Sequence, residues 1–160
     1  MKNILKTTAI MLILAGSLVS CGKEKDKEPT EIPFTEYSLV DTNCQWIDPC
    51  SDFDCSDLVI LINSRNEIEK YTVCTEGTFP EIDFTKHTLL FISGVARQNV
   101  VSINISFKSA TALTYELNVT VSMGMFMSVE SWRYPVLVSK IPDHSKINLK
   151  VDYLLPNFIY

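Results

Sequence analysis

The second half of the chain alternates apolar and polar residues with a period of two, and this pattern limits what the chain can fold into more than any other. Because successive side chains of a β-strand point to opposite faces, such alternation predicts strands with one buried face. The apolar positions form four sets: Val101, Ile103, Ile105 and Phe107; Leu113, Tyr115, Leu117, Val119 and Val121; Tyr134, Val136 and Val138; Ile147, Leu149, Val151 and Tyr153. We therefore expect at least four strands in this half.

Two short apolar runs before residue 100 do not alternate. Leu58–Ile62 and Leu89–Ile92 are continuously apolar and rich in leucine and isoleucine. Runs of this length and composition are typical of strands buried on both faces. Phe34–Val40 alternates and predicts a further strand at the start of the domain.

One helix is predicted between the two buried strands. Ser64 and Glu67 have the spacing of a capping box, and Ile68 and Tyr71 lie on one helical face. We expect this helix to end near Cys74 or Gly77. Together these segments predict an α+β domain that is mostly β, with an antiparallel sheet or sandwich of about seven strands and one short helix.

The N-terminal segment has the composition of a secretory signal. Lys2 and Lys6 precede an apolar run over residues 7–18, which is too short for a membrane-spanning helix of about 20 residues. The stretch Leu18-Val19-Ser20-Cys21 resembles the lipobox of bacterial lipoproteins. That resemblance implies lipidation of Cys21 and cleavage before it; an ordinary cleaved signal with a free Cys21 is the alternative. An Asp directly after the lipidated cysteine resembles a signal for retention in the inner membrane. This chain has Gly22 at that position, so we expect the protein to be in the outer membrane.

These observations divide the chain into three parts. Residues 1–20 are predicted to be the signal peptide, 21–33 a charged, lipid-anchored tether, and 34–160 a single β-rich domain. Several acyl chains would hold the protein on a membrane, on its periplasmic face or at the cell surface. Without residues 1–20 the chain carries 12 basic against 19 acidic residues, a formal charge of −7. The basic clusters that nucleic-acid binding requires are missing from this composition.

Four cysteines follow Cys21, and an even number in an exported protein favours disulfides. Their spacing contains no C-x-x-C pair, which argues against a zinc site. Four cysteines allow three pairings. We expect Cys50 to pair with Cys55, because they share a short polar turn, and Cys44 to pair with Cys74, because they flank the intervening segment.

Four aspartates crowd into the same connection, at Asp48, Asp52, Asp54 and Asp57. Carboxylates at this density could bind calcium, although the glycine and terminal glutamate of an EF-hand loop are missing. A solvated acidic loop is the other interpretation, and it is the one we favour. No metal site and no cofactor are therefore predicted.

The stretch Met123-Gly124-Met125-Phe126-Met127, followed by Trp132 and Tyr134, has the most unusual composition in the domain. Methionine and aromatic side chains adapt to irregular partners, so Met125, Phe126, Trp132 and Tyr134 form a candidate contact surface for a protein or an apolar ligand. Methionine also fills protein cores. We favour that second interpretation, in which Met123, Met125 and Met127 continue the preceding strand and pack inside.

A wider pattern of structural residues carries a family resemblance. The order Ile60-Leu61-Ile62-Asn63-Ser64, Glu67-Ile68-Glu69-Lys70-Tyr71, Pro80-Glu81-Ile82-Asp83-Phe84-Thr85-Lys86, then Leu89-Leu90-Phe91 and Gly94 resembles small Gram-negative envelope lipoproteins without assigned function. It is more distantly similar to the C-terminal domain of an accessory subunit in a bacterial surface protease complex. The resemblance covers residues 58–151 and implies a non-catalytic module.

Catalytic motifs are not found in the sequence. The histidines, His87 and His144, lie outside any metal or catalytic motif, and Asp83 is expected to fix a loop rather than to orient His87. We therefore predict a lipid-anchored, disulfide-stabilised envelope protein that acts as a binding or accessory module, with a possible protein partner in the envelope. The alternatives are a calcium- or glycan-binding surface domain, suggested by the acidic loop and Trp46, or an enzyme whose site is assembled from dispersed residues.

Overall fold

The computed structural model describes residues 29–47, 49 and 56–155. The described residues form ten strands and one short helix. In chain order the elements are β1 (Thr30–Glu31), β2 (Phe34–Glu36), β3 (Cys44–Trp46), β4 (Leu58–Ile62), α1 (Arg65–Ile68), β5 (Thr72–Cys74), β6 (His87–Ala96), β7 (Val100–Ser109), β8 (Thr114–Met123), β9 (Glu130–Ser139) and β10 (Lys146–Leu154). No helix in these three ranges is long and apolar enough to cross a membrane.

Two four-stranded sheets build the domain. One has the strand order β1-β7-β8-β10 and the other the order β2-β9-β6-β4, while β3 and β5 pair separately as a two-stranded ribbon. Neighbouring strands are antiparallel except β8 and β10, which are parallel. The parallel pair arises because the chain leaves the first sheet after β8, adds β9 to the second sheet and then returns as β10.

The main core lies between the two sheets. The apolar face of β8 supplies Tyr115, Leu117, Val119 and Val121, and β6 supplies Leu90 and Ile92 from the opposite side. The alternating residues of β10 pack against the same core from the edge. Burial of alternating apolar side chains is the main force that holds two such sheets together.

A second core covers the other face of β6. Leu89 and Phe91 point away from the main core and contact Ile68 of α1 and a group of side chains from the loops. The β3–β5 ribbon closes this side, and the Cys44–Cys74 disulfide joins its two strands at paired positions. The strand β6 is therefore buried on both faces over most of its length, which explains its continuous apolar sequence.

The predicted fold class is confirmed, with ten strands where about seven were expected. The additional strands β1, β3 and β5 are two or three residues long, too short to show a period of two. Thr30 and Glu31, assigned to the tether by the sequence, form β1. The predicted Cys44–Cys74 disulfide is confirmed, whereas Cys50, Cys55, the signal peptide and Cys21 lie outside the described residues.

The predicted helix is present but shorter than expected. Ser64 caps it, since its Oγ accepts a hydrogen bond from the Glu67 backbone N–H at 3.3 Å. The Glu67 carboxylate accepts a hydrogen bond at 2.6 Å from the backbone N–H of Asn63, the residue before the N-cap, where a capping box would use the N–H of Ser64 itself. The helix ends at Ile68 because the following residues lead into β5, which the disulfide ties to β3.

Candidate functional site

The connection between β8 and β9 exposes a group of large apolar side chains at one end of the sandwich. Met125, Phe126 and Met127 are 67%, 76% and 86% exposed, and Val129 is about half exposed. We call these four residues the apolar tip. Single exposed apolar residues are common on protein surfaces, but a contiguous group of this size indicates a contact surface.

Asn99, in the turn between β6 and β7, fixes the backbone of this connection. Its backbone N–H donates to the carbonyl of Phe126 at 3.1 Å, and its carbonyl accepts from the N–H of Gly124 at 2.8 Å. Its side-chain Oδ1 accepts from the N–H of Phe126 at 2.9 Å. Three hydrogen bonds to one residue therefore fix the backbone of the loop at Gly124 and Phe126.

Neighbouring contacts strengthen this arrangement. A side chain at Gly124 would overlap the amide of Asn99 and would displace it from the N–H of Phe126. The Glu130 carboxylate accepts a hydrogen bond from the backbone N–H of Val100 at 2.8 Å. The amide of Gln98 lies 3.8 Å from the sulfur of Met127. The β6–β7 turn thus supports the β8–β9 connection that carries the apolar tip.

The structure divides the predicted contact surface into exposed and buried residues. Met125 and Phe126 lie in the apolar tip, whereas Trp132 is 4% exposed and packs in the main core, and Tyr134 is partly buried against that core. Trp132 is therefore not part of the exposed surface. The alternative in which the methionines pack inside is correct for Met123, which contacts the main core, and wrong for Met125 and Met127.

Beneath the apolar tip, a hydrogen-bonded chain joins the two sheets. The indole N–H of Trp132 donates to the hydroxyl of Tyr153 at 3.0 Å, and this hydroxyl donates to Asp57 Oδ1 at 2.5 Å. Burial and the neighbouring Asp57 carboxylate raise the pKa of Tyr153 above its ordinary value. We call these three residues the Trp-Tyr-Asp clasp.

The clasp gives Asp57 a structural partner. Of the four aspartates considered for calcium, Asp57 is described, and Asp48, Asp52 and Asp54 lie outside the described residues. Within the described part of the chain, no three His, Cys, Asp or Glu side chains come together as metal ligands.

Asp83 and His87 do not form a catalytic pair through their side chains. The Asp83 carboxylate accepts hydrogen bonds from the backbone and hydroxyl of Thr85 and forms an ion pair with Lys86 at 2.8 Å. These contacts, led by the one with Lys86, hold the pKa of Asp83 well below its usual range. The aspartate thus fixes the turn before β6, as the sequence predicted.

Sequence reasoning identified the composition of the apolar tip but missed Asn99, the residue that holds it. Asn99 lies 27 residues from Phe126, so no local pattern connects the two. A weak signal was available: Asn99 lies in a turn, and Gly124 marks a place where another backbone approaches closely.

Comparison with protein-family models, curated proteins and solved structures finds no match to this chain. The predicted resemblance to envelope lipoproteins therefore stays a prediction. Conclusions about function depend on the geometry of the chain itself.

Proposed function

We propose that this protein is a lipid-anchored, non-catalytic module of the bacterial envelope that binds a protein partner through the apolar tip. The observation that carries the proposal is the exposure of Phe126, Met125 and Met127 on a loop held in place by Asn99. A loop braced in this way loses little conformational freedom on binding, which favours its use as a contact surface.

The position of the apolar tip favours a partner away from the anchoring membrane. The first described strand pairs Thr30 with Ser109, at one end of β7, whereas Val100 at the other end pairs with Met123 beside the apolar tip. At roughly 3.3 Å per residue, the ten residues of β7 separate these ends by about 30 Å. A lipid anchor at Cys21 would therefore join the domain at the end remote from the apolar tip.

Charge also favours a protein partner over a lipid surface. The chain after residue 20 has a formal charge of −7. Membrane-binding surfaces usually carry basic residues that are attracted to anionic lipid, and an acidic protein lacks that attraction. An apolar pocket or groove on another protein fits the two methionines and the phenylalanine of the apolar tip.

Phe126 is the expected anchor of the contact. A phenylalanine side chain buries about 150 to 250 Å² when fully enclosed, and three quarters of Phe126 is free to be covered. At about 25 cal/mol per Å², covering it supplies roughly 3 to 5 kcal/mol before the costs of association. We expect replacement of Phe126 by serine to weaken binding at least tenfold.

The test is crosslinking of the full chain in intact cells, followed by purification through a tag and mass spectrometry. The proposal expects a partner in constant proportion that is lost in Phe126→Ser and Met127→Ser. The matched control is Leu113→Ser, because Leu113 is about half exposed but lies in the β7–β8 turn at the other end of the sandwich.

Two further measurements separate the parts of the proposal. Metabolic labelling with a fatty acid should mark the wild type and not Cys21→Ser; equal labelling would refute anchoring at this residue. A partner retained equally by Phe126→Ser and Leu113→Ser would refute the role of the apolar tip, as would binding of the purified domain to protein-free lipid vesicles that depends on Phe126.

A further inference from the structure

Among the described residues, the edge of the second sheet is unpaired at Arg133 of β9. The short strand β2 pairs with β9 at Val136–Val138, and the pairing ends with a hydrogen bond from the Tyr37 N–H to the Pro135 carbonyl at 2.9 Å. Residues 38–40 then turn away. At Arg133, β9 pairs with Ser93 of β6 on one side, and no strand in the described ranges pairs with it on the other.

The backbone of Arg133 points toward this open side. In an antiparallel pair, alternate residues direct both their N–H and C=O groups to the same neighbour. Because the carbonyl of Pro135 bonds to Tyr37, the N–H and C=O of Arg133 face the same side of β9. They form one donor and acceptor pair in the position that a continuation of β2 would occupy.

A cleft of about 410 Å³ lies against this edge. Its walls come from the chain after β2 and from the β3–β5 ribbon, and include Glu36, Tyr37, Val40, Gln45, Trp46 and Arg133. The volume lies in the range of small-ligand and peptide sites. Trp46 packs its ring against Phe91 at 4.8 Å and against Tyr37, which makes it a fixed wall rather than a mobile side chain.

The charges in the cleft select among ligands. Glu36 lines the cleft and lies beside the hydroxyl of Tyr134, whose pKa is raised by burial and by this carboxylate. Arg133 donates from one guanidinium nitrogen, Nη1, to the carbonyl of Trp46 at 3.4 Å, and within the described residues its guanidinium has no other hydrogen bond or ion pair. A guanidinium with free donors in a cleft fits a carboxylate.

We propose that this cleft binds an extended peptide segment that adds to the open edge of β9 and places a carboxylate on Arg133. The backbone pair at Arg133 supplies strand-like hydrogen bonds, Trp46 supplies an apolar wall, and the guanidinium supplies the selection for negative charge. This site is separate from the apolar tip, so either one can fail without the other.

The test uses the full purified chain and a library of synthetic octapeptides with one Asp or Glu at varied positions, each with a free or an amidated C-terminus. Binding is measured by fluorescence polarisation. The proposal expects acidic peptides to bind, and the two forms of the C-terminus distinguish a side-chain carboxylate from a terminal one. Arg133→Gln should weaken binding at least tenfold, whereas Arg97→Gln, which removes an exposed arginine in the β6–β7 turn, should leave it unchanged.

Backbone pairing has its own test on the unaltered protein. Methylation of the peptide amides that face Arg133 should weaken binding at least tenfold, and methylation of the amides on either side should have little effect. Phe126→Ser should bind the peptides normally.

Three results would overturn the proposal. The first is that no acidic peptide binds, and the second is that all amide methylations act equally. The third is binding of glycans in place of peptides, lost in Trp46→Ala.

Discussion

Replacing Gly94 by alanine should break the Trp-Tyr-Asp clasp. Gly94 lies in β6 opposite Trp132, and a β-carbon there would overlap Asp57 Oδ1 and lie 2.7 Å from the indole ring. A β-carbon does not approach a non-bonded heavy atom this closely, so one neighbour must move. Trp132 is enclosed by the main core, whereas Asp57 is partly exposed. Asp57 should therefore move and lose its hydrogen bond from Tyr153.

The expected loss of stability follows from these contacts. A hydrogen bond to a charged group contributes about 1.5 to 3 kcal/mol, and crowding of a packed core costs about 1 to 3 kcal/mol. Replacing a strand glycine by alanine also stabilises the fold by roughly 0.5 to 1 kcal/mol, because alanine loses less backbone entropy on folding. We expect Gly94→Ala to lower the free energy of unfolding by about 2 to 5 kcal/mol, a large part of the stability of a typical domain.

Gly77→Ala is the matched control for this prediction. Gly77 has a positive φ of 76°, and a β-carbon there would meet no atom within 4 Å. Its replacement should cost about 1 to 2 kcal/mol from the left-handed backbone alone. Urea denaturation followed by tryptophan fluorescence measures both variants. If Gly94→Ala loses no more stability than Gly77→Ala, the steric reasoning is wrong.

A double-mutant cycle locates the effect. Asp57→Ala removes the oxygen that the new β-carbon would overlap. The combination of Gly94→Ala and Asp57→Ala should therefore lose less stability than the two single losses added together. Additive losses would show that Asp57 is not the residue that moves.

Three further predictions concern other parts of the molecule. Replacing Cys44 and Cys74 together by alanine should lower the free energy of unfolding by about 3 to 4 kcal/mol in urea denaturation, because the disulfide closes a loop with a sequence separation of 30; an unchanged midpoint would refute this. Burial raises the pKa of Tyr37 to about 12. Its protonated form therefore stabilises the fold below pH 10, and that contribution is lost as the pH rises from 10 to 12. Urea denaturation across this range should show a smaller loss of stability for Tyr37→Phe than for the wild type. Asn99→Ala should change the free energy of unfolding by less than about 1 kcal/mol. It should also speed amide exchange at Phe126, measured by NMR, because that N–H loses its acceptor. Unchanged exchange would show that the Asn99 side chain does not hold the loop.

The alternation in the sequence predicted the strands well because each long strand has one face in the main core. In β8 the prediction held residue by residue from Tyr115 to Val121. In β7 it failed at Val101, which is 67% exposed, because a bulge between Val100 and Ser102 shifts the side chains by one position. A bulge depends on pairing with β8, and no local pattern reports it.

Strand partners were harder to predict than the strands themselves. The parallel pairing of β10 with β8 depends on β9 joining the other sheet, and nothing in the alternation of residues 146–154 distinguishes a parallel from an antiparallel neighbour. The candidate site shows the same limit. The sequence grouped Trp132 with the exposed residues because it is aromatic and follows the methionines. Along β9, however, Trp132 is an even number of residues from Val136 and Val138, which places it on the same buried face.

The two ends of the sandwich have different roles in the proposed function, and the topology explains why. Strand β1 adds to the end of β7 at Ser109, so a chain anchored at Cys21 approaches the domain there. The β6–β7 and β8–β9 connections meet at the opposite end, where Asn99 holds the apolar tip. A tether that joins the domain at one end and a contact surface at the other end do not compete for space. The proposed tether can therefore hold the domain to a membrane while the apolar tip, about 30 Å away along β7, remains open to a partner.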